Sequence, residues 1–184
     1  MGAEASIALC GNGEPGEAVP AADSLAEAHW GPLSSRAEEL LRAAGRWGRA
    51  EAPAEALLRE AVETEPEHIA VLIGNYRFAF YSGKLAEARD WALACLAAVA
   101  AKAGYPKEWS MVSPSRREER AREDPLFRLY LFALKAYGYL EIRLGEREKG
   151  LAALLKLEEL DPKGLLRGGD LRRIVERGGA EEDD

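Results

Sequence analysis

The sequence has few of the residues on which catalytic and metal centres depend. It holds two cysteines, Cys10 and Cys95, and two histidines, His29 and His68. None of these four stands at a spacing that would let it share a metal ion or activate a nucleophile. The glycine-rich stretch GNGEPG lacks the GK[ST] ending of a phosphate loop. We therefore predict no enzyme activity, no catalytic residue, no metal and no cofactor.

Long uninterrupted apolar runs are also absent. Charged side chains, among them Arg77, Lys135 and Glu141, interrupt the longest apolar segments, which argues against a membrane-spanning helix. No Lys or Arg precedes Arg36, so the basic start of a secretory signal is missing. We expect no membrane association and a cytoplasmic location.

Basic residues are missing from both ends of the chain. Residues 1–33 contain Glu and Asp but no Lys or Arg, and the last four residues read EEDD. The net charge of −7 therefore belongs to the ends, whereas the charges between them nearly balance. We predict a disordered acidic arm over 1–33, a helical domain over 34–178 and an acidic tail over 179–184.

Helical periodicity fills the centre of the chain. Apolar residues recur at spacings of three and four, and no segment alternates as a strand would. Ser34 or Ser35 suits the start of the first helix, and Pro66 ends the second. Gly83 and Gly145 each end a long apolar helix, because glycine adopts the left-handed conformation at low cost. The sequence thus predicts an all-α protein.

Small residues and helix ends recur at a fixed spacing. Ala54 and Ala88 lie 34 positions apart, as do Leu58 and Ala92, and the same register returns at Gly145 and Gly150 after a longer gap. Gly138 and Pro162 also match this register. This pattern resembles the tetratricopeptide repeat, over residues 35–68, 69–102 and 131–164.

The resemblance implies a right-handed superhelix of antiparallel helix pairs with a C-terminal capping helix at 168–178. An insertion at about 103–130 separates the second and third repeats. Arg42 and Tyr76 depart from the small residue of the first helix, Ala100 departs from the final proline, and Glu141 stands where the family usually has tyrosine. Glu141 is then either a buried, paired acid or a sign that the register is misplaced.

Members of this family bind other polypeptides in a concave groove lined by the first helix of each pair. The family's carboxylate clamp is predicted to be absent, because Glu39 and Ala43 stand at the corresponding positions. The groove positions are rich in cations and aromatic rings, and the alternative is that the rings pack between helices while the arginine heads are solvated. The predicted partner-binding residues are Arg36, Arg46, Trp47, Asn75, Arg77, Phe80, Tyr81, Phe132, Lys135, Tyr139 and Arg143.

A protein-interaction module, such as an adaptor or assembly factor, is the function this surface favours. It would hold a peptide or helix with acidic and apolar anchors. One alternative is a client-holding secretion chaperone, which the chain resembles in being small, acidic and built of three repeats, although the insertion departs from that pattern. Another is self-association, with the acidic arm of one chain in the groove of a second.

Two further features bear on partners. The segment SRREERARED within the insertion mixes acids with arginines, so nucleic-acid binding is not expected, whereas Trp109, Met111 and Val112 could dock over the groove or touch a partner. The stretches YLFALKAYGYL and GLAALLKLEELDP resemble short repeat proteins encoded beside bacterial nitrogen-fixation genes. That second resemblance implies a bacterial source but no particular function.

Overall fold

Seven α-helices account for most of the computed structural model, which describes residues 30–47, 52–113 and 124–180. Within these ranges there is no strand, so the all-α prediction is confirmed for the described chain. In chain order the helices are α1 Ser35–Arg46, α2 Ala52–Thr64, α3 Ile69–Tyr81, α4 Leu85–Ala103, α5 Pro125–Arg143, α6 Arg147–Leu160 and α7 Gly168–Ala180.

Three helices, α1, α3 and α5, start with a side chain that caps free backbone N–H groups. The Ser34 hydroxyl accepts a hydrogen bond from Ala37 N at the start of α1, as predicted. The Asp124 carboxylate accepts from Leu126 N and Phe127 N, with Pro125 in the first turn of α5. At α3 the cap is His68, whose Nδ1 accepts from Ala70 N.

Two helix joints close with the same backbone hydrogen bonds. Gly83 has φ +74° and Gly145 has φ +90°, the left-handed conformation that the sequence predicted at both positions. Beyond the first, Lys84 N donates to Ala79 O at 2.9 Å, and beyond the second Glu146 N donates to Glu141 O at 2.9 Å. These bonds turn the chain back within three residues, so α3 pairs with α4 and α5 pairs with α6.

The main core runs through α3 to α7. Each helix packs on its neighbour in sequence. Its largest fully buried side chains include Phe127, Tyr130 and Leu134 of α5 and Leu154 of α6. The chain ends on α7, which packs on α6 with Leu171 buried and with Arg172 paired to Glu158 at 2.6 Å.

The first helix pair has its own small cores. Leu40, Ala61 and Val71 form one buried cluster, and Ala44, Ala54 and Leu58 form another. Residues 30–33, which the sequence assigned to the arm, lie against the helices instead: Trp30 packs on the main core and Leu33 packs on the cluster around Leu40. The packed body therefore starts before Ser34.

The segment after α4 packs against the helical body. Tyr105 is buried and meets the rings of Phe127 and Tyr130 edge-on, at centroid distances of 6.1 and 5.3 Å. Trp109 meets Tyr137 at 6.1 Å, and Val112 is fully buried. Of the three insertion residues predicted to dock or to meet a partner, Met111 alone is strongly exposed, at 68%.

The segment SRREERARED lies outside the described residues except for Asp124.

Among the helices that are described, none combines the length and apolar character needed to cross a membrane.

Candidate functional site

Aromatic and arginine side chains of α3 and α5 come together on one side of the molecule. On α3, Phe80 follows Tyr76 by four residues and Arg77 by three, and Tyr81 follows Arg77 by four, so these pairs are neighbours on the helix surface. On α5 the two residues of the set also stand four residues apart. We call this set the aromatic–basic surface: Tyr76, Arg77, Phe80 and Tyr81 from α3, with Tyr139 and Arg143 from α5.

Phe80 lies at the centre of the aromatic–basic surface. Its ring centroid is 6.0 Å from that of Tyr76, 5.5 Å from that of Tyr81 and 6.3 Å from that of Tyr139. The contact with Tyr139 joins the two helices, and Tyr81 meets Phe80 edge-on, an arrangement that aromatic pairs favour. Tyr81 is 37% exposed, so the cluster reaches the surface.

Two arginines stand beside the rings. The guanidinium carbon of Arg77 is 6.0 Å from the Tyr81 ring centroid, and that of Arg143 is 5.7 Å from the Tyr139 centroid. Arg143 Nη1 also donates to the Tyr139 hydroxyl at 2.7 Å. Neither arginine forms an ion pair with a carboxylate in the described part of the chain. No described carboxylate therefore neutralises either charge.

Phe132 and Lys135 continue the same stripe of α5 toward its N-terminus. Phe132 is 39% exposed, but Lys135 is already engaged, since its Nζ donates to the Leu166 carbonyl at 2.7 Å. Burial lowers the pKa of Lys135, the nearby Arg167 lowers it further, and Asp170 opposes both. This lysine fastens the turn before α7 to α5, so it is less available to a partner than Arg77.

The candidates on α1 stand apart from this set. Arg36 is bonded to Glu60 of α2, with Nε at 3.1 Å from Oε1, and this carboxylate raises the pKa of Arg36. Arg46 is exposed in the last turn, and Trp47, at 49% exposure, follows it. The ring contacts that build the surface come from α3 and α5.

Asn75 lies on the opposite side of α3. It is buried, and its amide donates to Val71 O at 2.9 Å within the same helix. Two residues further on, Arg77 points about 200° away around the helix axis. Asn75 instead lines a cleft of about 160 Å³ between α2, α3 and α4, whose other walls are Glu55, Leu58, Arg59, Val62, Phe78, Ala79, Glu87 and Trp91.

Glu141 is buried in the last turn of α5, at 4% exposure. Burial and a hydrogen bond with Glu141 raise the pKa of Tyr137 to about 12, and Glu141 also contributes to the raised pKa of Arg89, after the closer Asp90. Its Oε2 has no hydrogen-bond partner among the described residues. Glu141 is therefore a buried acid that bonds to Tyr137, as one of the two interpretations of the sequence expected.

Nucleophiles and ligands do not cluster in the described residues. Within these ranges no group of three His, Cys, Asp or Glu side chains could hold a metal ion. Cys95 is buried, and burial raises the pKa of its thiol to about 12, which keeps it protonated at neutral pH. His68 is occupied as a helix cap, with Nε2 3.3 Å from Gly31 O. Cys10 and His29 lie outside the described residues.

Five of the predicted partner-binding residues therefore meet on one surface: Arg77, Phe80, Tyr81, Tyr139 and Arg143. Tyr76 also belongs to this surface, although it departs from the repeat pattern and was not among the predicted partner-binding residues. Its position four residues before Phe80 was the available signal, because residues at this spacing share a helix face.

Comparisons with known proteins identify one similar sequence. An uncharacterised 19.8 kDa protein of Azotobacter chroococcum mcd 1, named for its place in the nifW 5′ region, is 40% identical over 113 residues. The aligned part covers 61% of this chain and 63% of that protein, so the chain spans less than two thirds of its relative. No protein-family model and no solved structure matches the chain. The relative's name agrees with the second resemblance found in the sequence and states no activity.

Proposed function

We propose that the protein is a cytoplasmic interaction module that binds a peptide or helix on the aromatic–basic surface. The ligand would carry acidic side chains next to large apolar ones. In this proposal the helix pairs form a tetratricopeptide-like superhelix, and α3 and α5 are the first helices of its second and third pairs. The repeated joints at Gly83 and Gly145 support that arrangement.

One observation carries the proposal: Arg77 and Arg143 stand beside a ring cluster joined by Phe80 and Tyr139, without carboxylate partners in the described chain. Arginine and aromatic residues dominate the binding energy of most protein interfaces. Guanidinium groups over ring faces are already oriented, so little side-chain entropy is lost when a carboxylate binds. A ligand with an apolar anchor between two acids would engage both kinds of group.

The first test selects ligands without assuming a partner. The full chain is immobilised and screened against a display library of random peptides, and the selected peptides are synthesised with a fluorescent label. We expect Asp or Glu next to Leu, Phe or Trp in the selected sequences. We also expect the double variant Arg77→Glu/Arg143→Glu to bind them at least about tenfold more weakly by fluorescence anisotropy.

The matched control is Arg59→Glu/Lys107→Glu. It changes the net charge by the same amount at two exposed positions outside the surface, so it should keep the wild-type affinity. Circular dichroism checks that all variants retain their helix content. If both double variants lose affinity equally, binding follows net charge and the surface is not the site.

A further inference from the structure

We propose that the acidic segment 1–29 of the same chain occupies the aromatic–basic surface and competes with external ligands there. This inference rests on the proposed function, because it names a second ligand for the same surface. The segment would therefore lower the affinity of the surface for external ligands.

Charge is the first argument. Residues 1–29 contain five carboxylates and no Lys or Arg. The surface presents the opposite charge, from two arginines without ion-pair partners in the described chain. Opposite fields of this kind attract within about 10 Å at moderate ionic strength.

The segment also contains the residue pattern expected of a ligand for this surface. Near its end the sequence reads Asp23-Ser-Leu25-Ala-Glu27, a large apolar residue between two acids. The surface has the complementary composition, with rings between two arginines. Leu25 would meet the rings, and the two carboxylates would meet the guanidinium groups.

The place where the segment joins the body brings it within reach. Trp30 packs on the main core, and Gly31 O lies 3.3 Å from His68 Nε2, just before α3. Arg77 follows His68 by nine residues, which is roughly 13 Å along the helix. At no more than about 3.3 Å per residue, Glu27 lies within roughly 10 Å of Trp30 and Asp23 within roughly 23 Å, which bounds the reach of the segment.

The test uses the full chain with its own cysteines. Cys95 is buried and its thiol has a pKa raised to about 12, so a nitroxide reagent will label Cys10 selectively. In the ¹⁵N-labelled protein we expect the nitroxide to broaden the amide signals of residues near Arg77, Tyr81, Tyr139 and Arg143. The broadening should disappear near 1 M salt, where the electrostatic screening length falls to about 3 Å. It should also disappear in the variant Arg77→Glu/Arg143→Glu.

A mixed sample distinguishes contact within one chain from contact between two chains. Nitroxide-labelled chain without ¹⁵N is combined with unlabelled ¹⁵N chain, and signals broadened as strongly as in the doubly labelled protein would overturn the intramolecular proposal. Broadening elsewhere, or broadening that survives in Arg77→Glu/Arg143→Glu, would also overturn it. The matched Arg59→Glu/Lys107→Glu chain should behave as the wild type.

Occupancy of the surface by residues 1–29 and binding of external peptides to it are tested by different measurements. Asp23→Lys/Glu27→Lys should bind the selected peptides several-fold more tightly, since the competing segment is weakened. If peptides bind and depend on Arg77 and Arg143 but no broadening occurs, the surface functions without the segment and this inference fails. If broadening occurs as expected but no peptide binds even to Asp23→Lys/Glu27→Lys, the segment occupies the surface, and both the proposed function and the competition with external ligands fail.

Discussion

At the scale of single residues, Gly138 and Gly150 set how closely α5 and α6 approach. A Cβ added at Gly150 would lie 2.6 Å from Gly138 O and would clash with Ile142. A Cβ at Gly138 would lie 3.2 Å from Gly150 O, so each glycine accommodates the backbone of the other helix. The sequence assigned both positions to small residues of the repeat pattern, and this close contact is the physical reason for them.

We predict that Gly150→Ala destabilises the protein by about 1–3 kcal/mol. The new methyl group meets backbone on the opposite helix, and no side-chain rotamer can relieve that overlap. The matched control is Gly45→Ala in α1, where a Cβ meets nothing within 4 Å. That change should stabilise the protein by up to about 1 kcal/mol through helix propensity. Urea unfolding followed by circular dichroism gives both values, and a stabilising Gly150→Ala would contradict the packing argument.

Residue spacing alone located part of the candidate site. Arg77, Phe80 and Tyr81 follow from the face of one helix, and Tyr139 and Arg143 follow from the face of another. Spacing could not show that Leu166 O, on a later turn, takes up Lys135, or that Asn75 bonds within its own helix. The first outcome depends on a contact between elements, and the second on neighbouring helices that bury one face of α3, and a pattern along one helix encodes neither.

At the scale of elements, helix ends were the most predictable feature. Gly83, Gly145 and Ser34 each perform the backbone role that their chemistry suggested, because caps depend on a few adjacent residues. The His68 cap was not predicted, since histidine is an uncommon N-cap and its role depends on the local backbone. The packing of Tyr105 onto the body was not predicted from local pattern, because its ring contacts lie on α5.

For α7 we predict that docking depends on one buried side chain. Leu171 is 3% exposed, whereas Ile174 of the same helix is 46% exposed. Leu171→Ala should lower the free energy of unfolding by about 2 kcal/mol or more, because it leaves a cavity beneath the helix. Ile174→Ala removes a similar number of atoms from the surface of the protein. It should lower the free energy of unfolding by well under half as much as Leu171→Ala. Equal losses in urea unfolding would mean that α7 is not held through Leu171.

At the scale of the whole molecule, the buried side chains divide unevenly. One continuous cluster joins α3 to α7, whereas α1 and α2 rely on two small clusters of three or four buried residues each. The cleft beside Asn75 lies at the junction between α2 and the pair formed by α3 and α4. Because each helix packs mainly on its neighbours in sequence, the first pair has fewer buried contacts to lose on opening.

We therefore predict that α1 and α2 open before the rest of the molecule. Native-state hydrogen exchange should give their most protected amides an opening free energy at least ~1.4 kcal/mol below that of α5 and α6, a tenfold difference in opening constant. Leu58→Ala, in a small cluster, should speed exchange in α1 and α2 alone, whereas Leu134→Ala, in the main core, should lower the highest protection everywhere. If all helices shared one opening free energy and both variants lowered it equally, the described helices would form a single cooperative unit instead. The aromatic–basic surface lies entirely on α3 and α5, so under this prediction the proposed binding surface persists while the first helix pair is open.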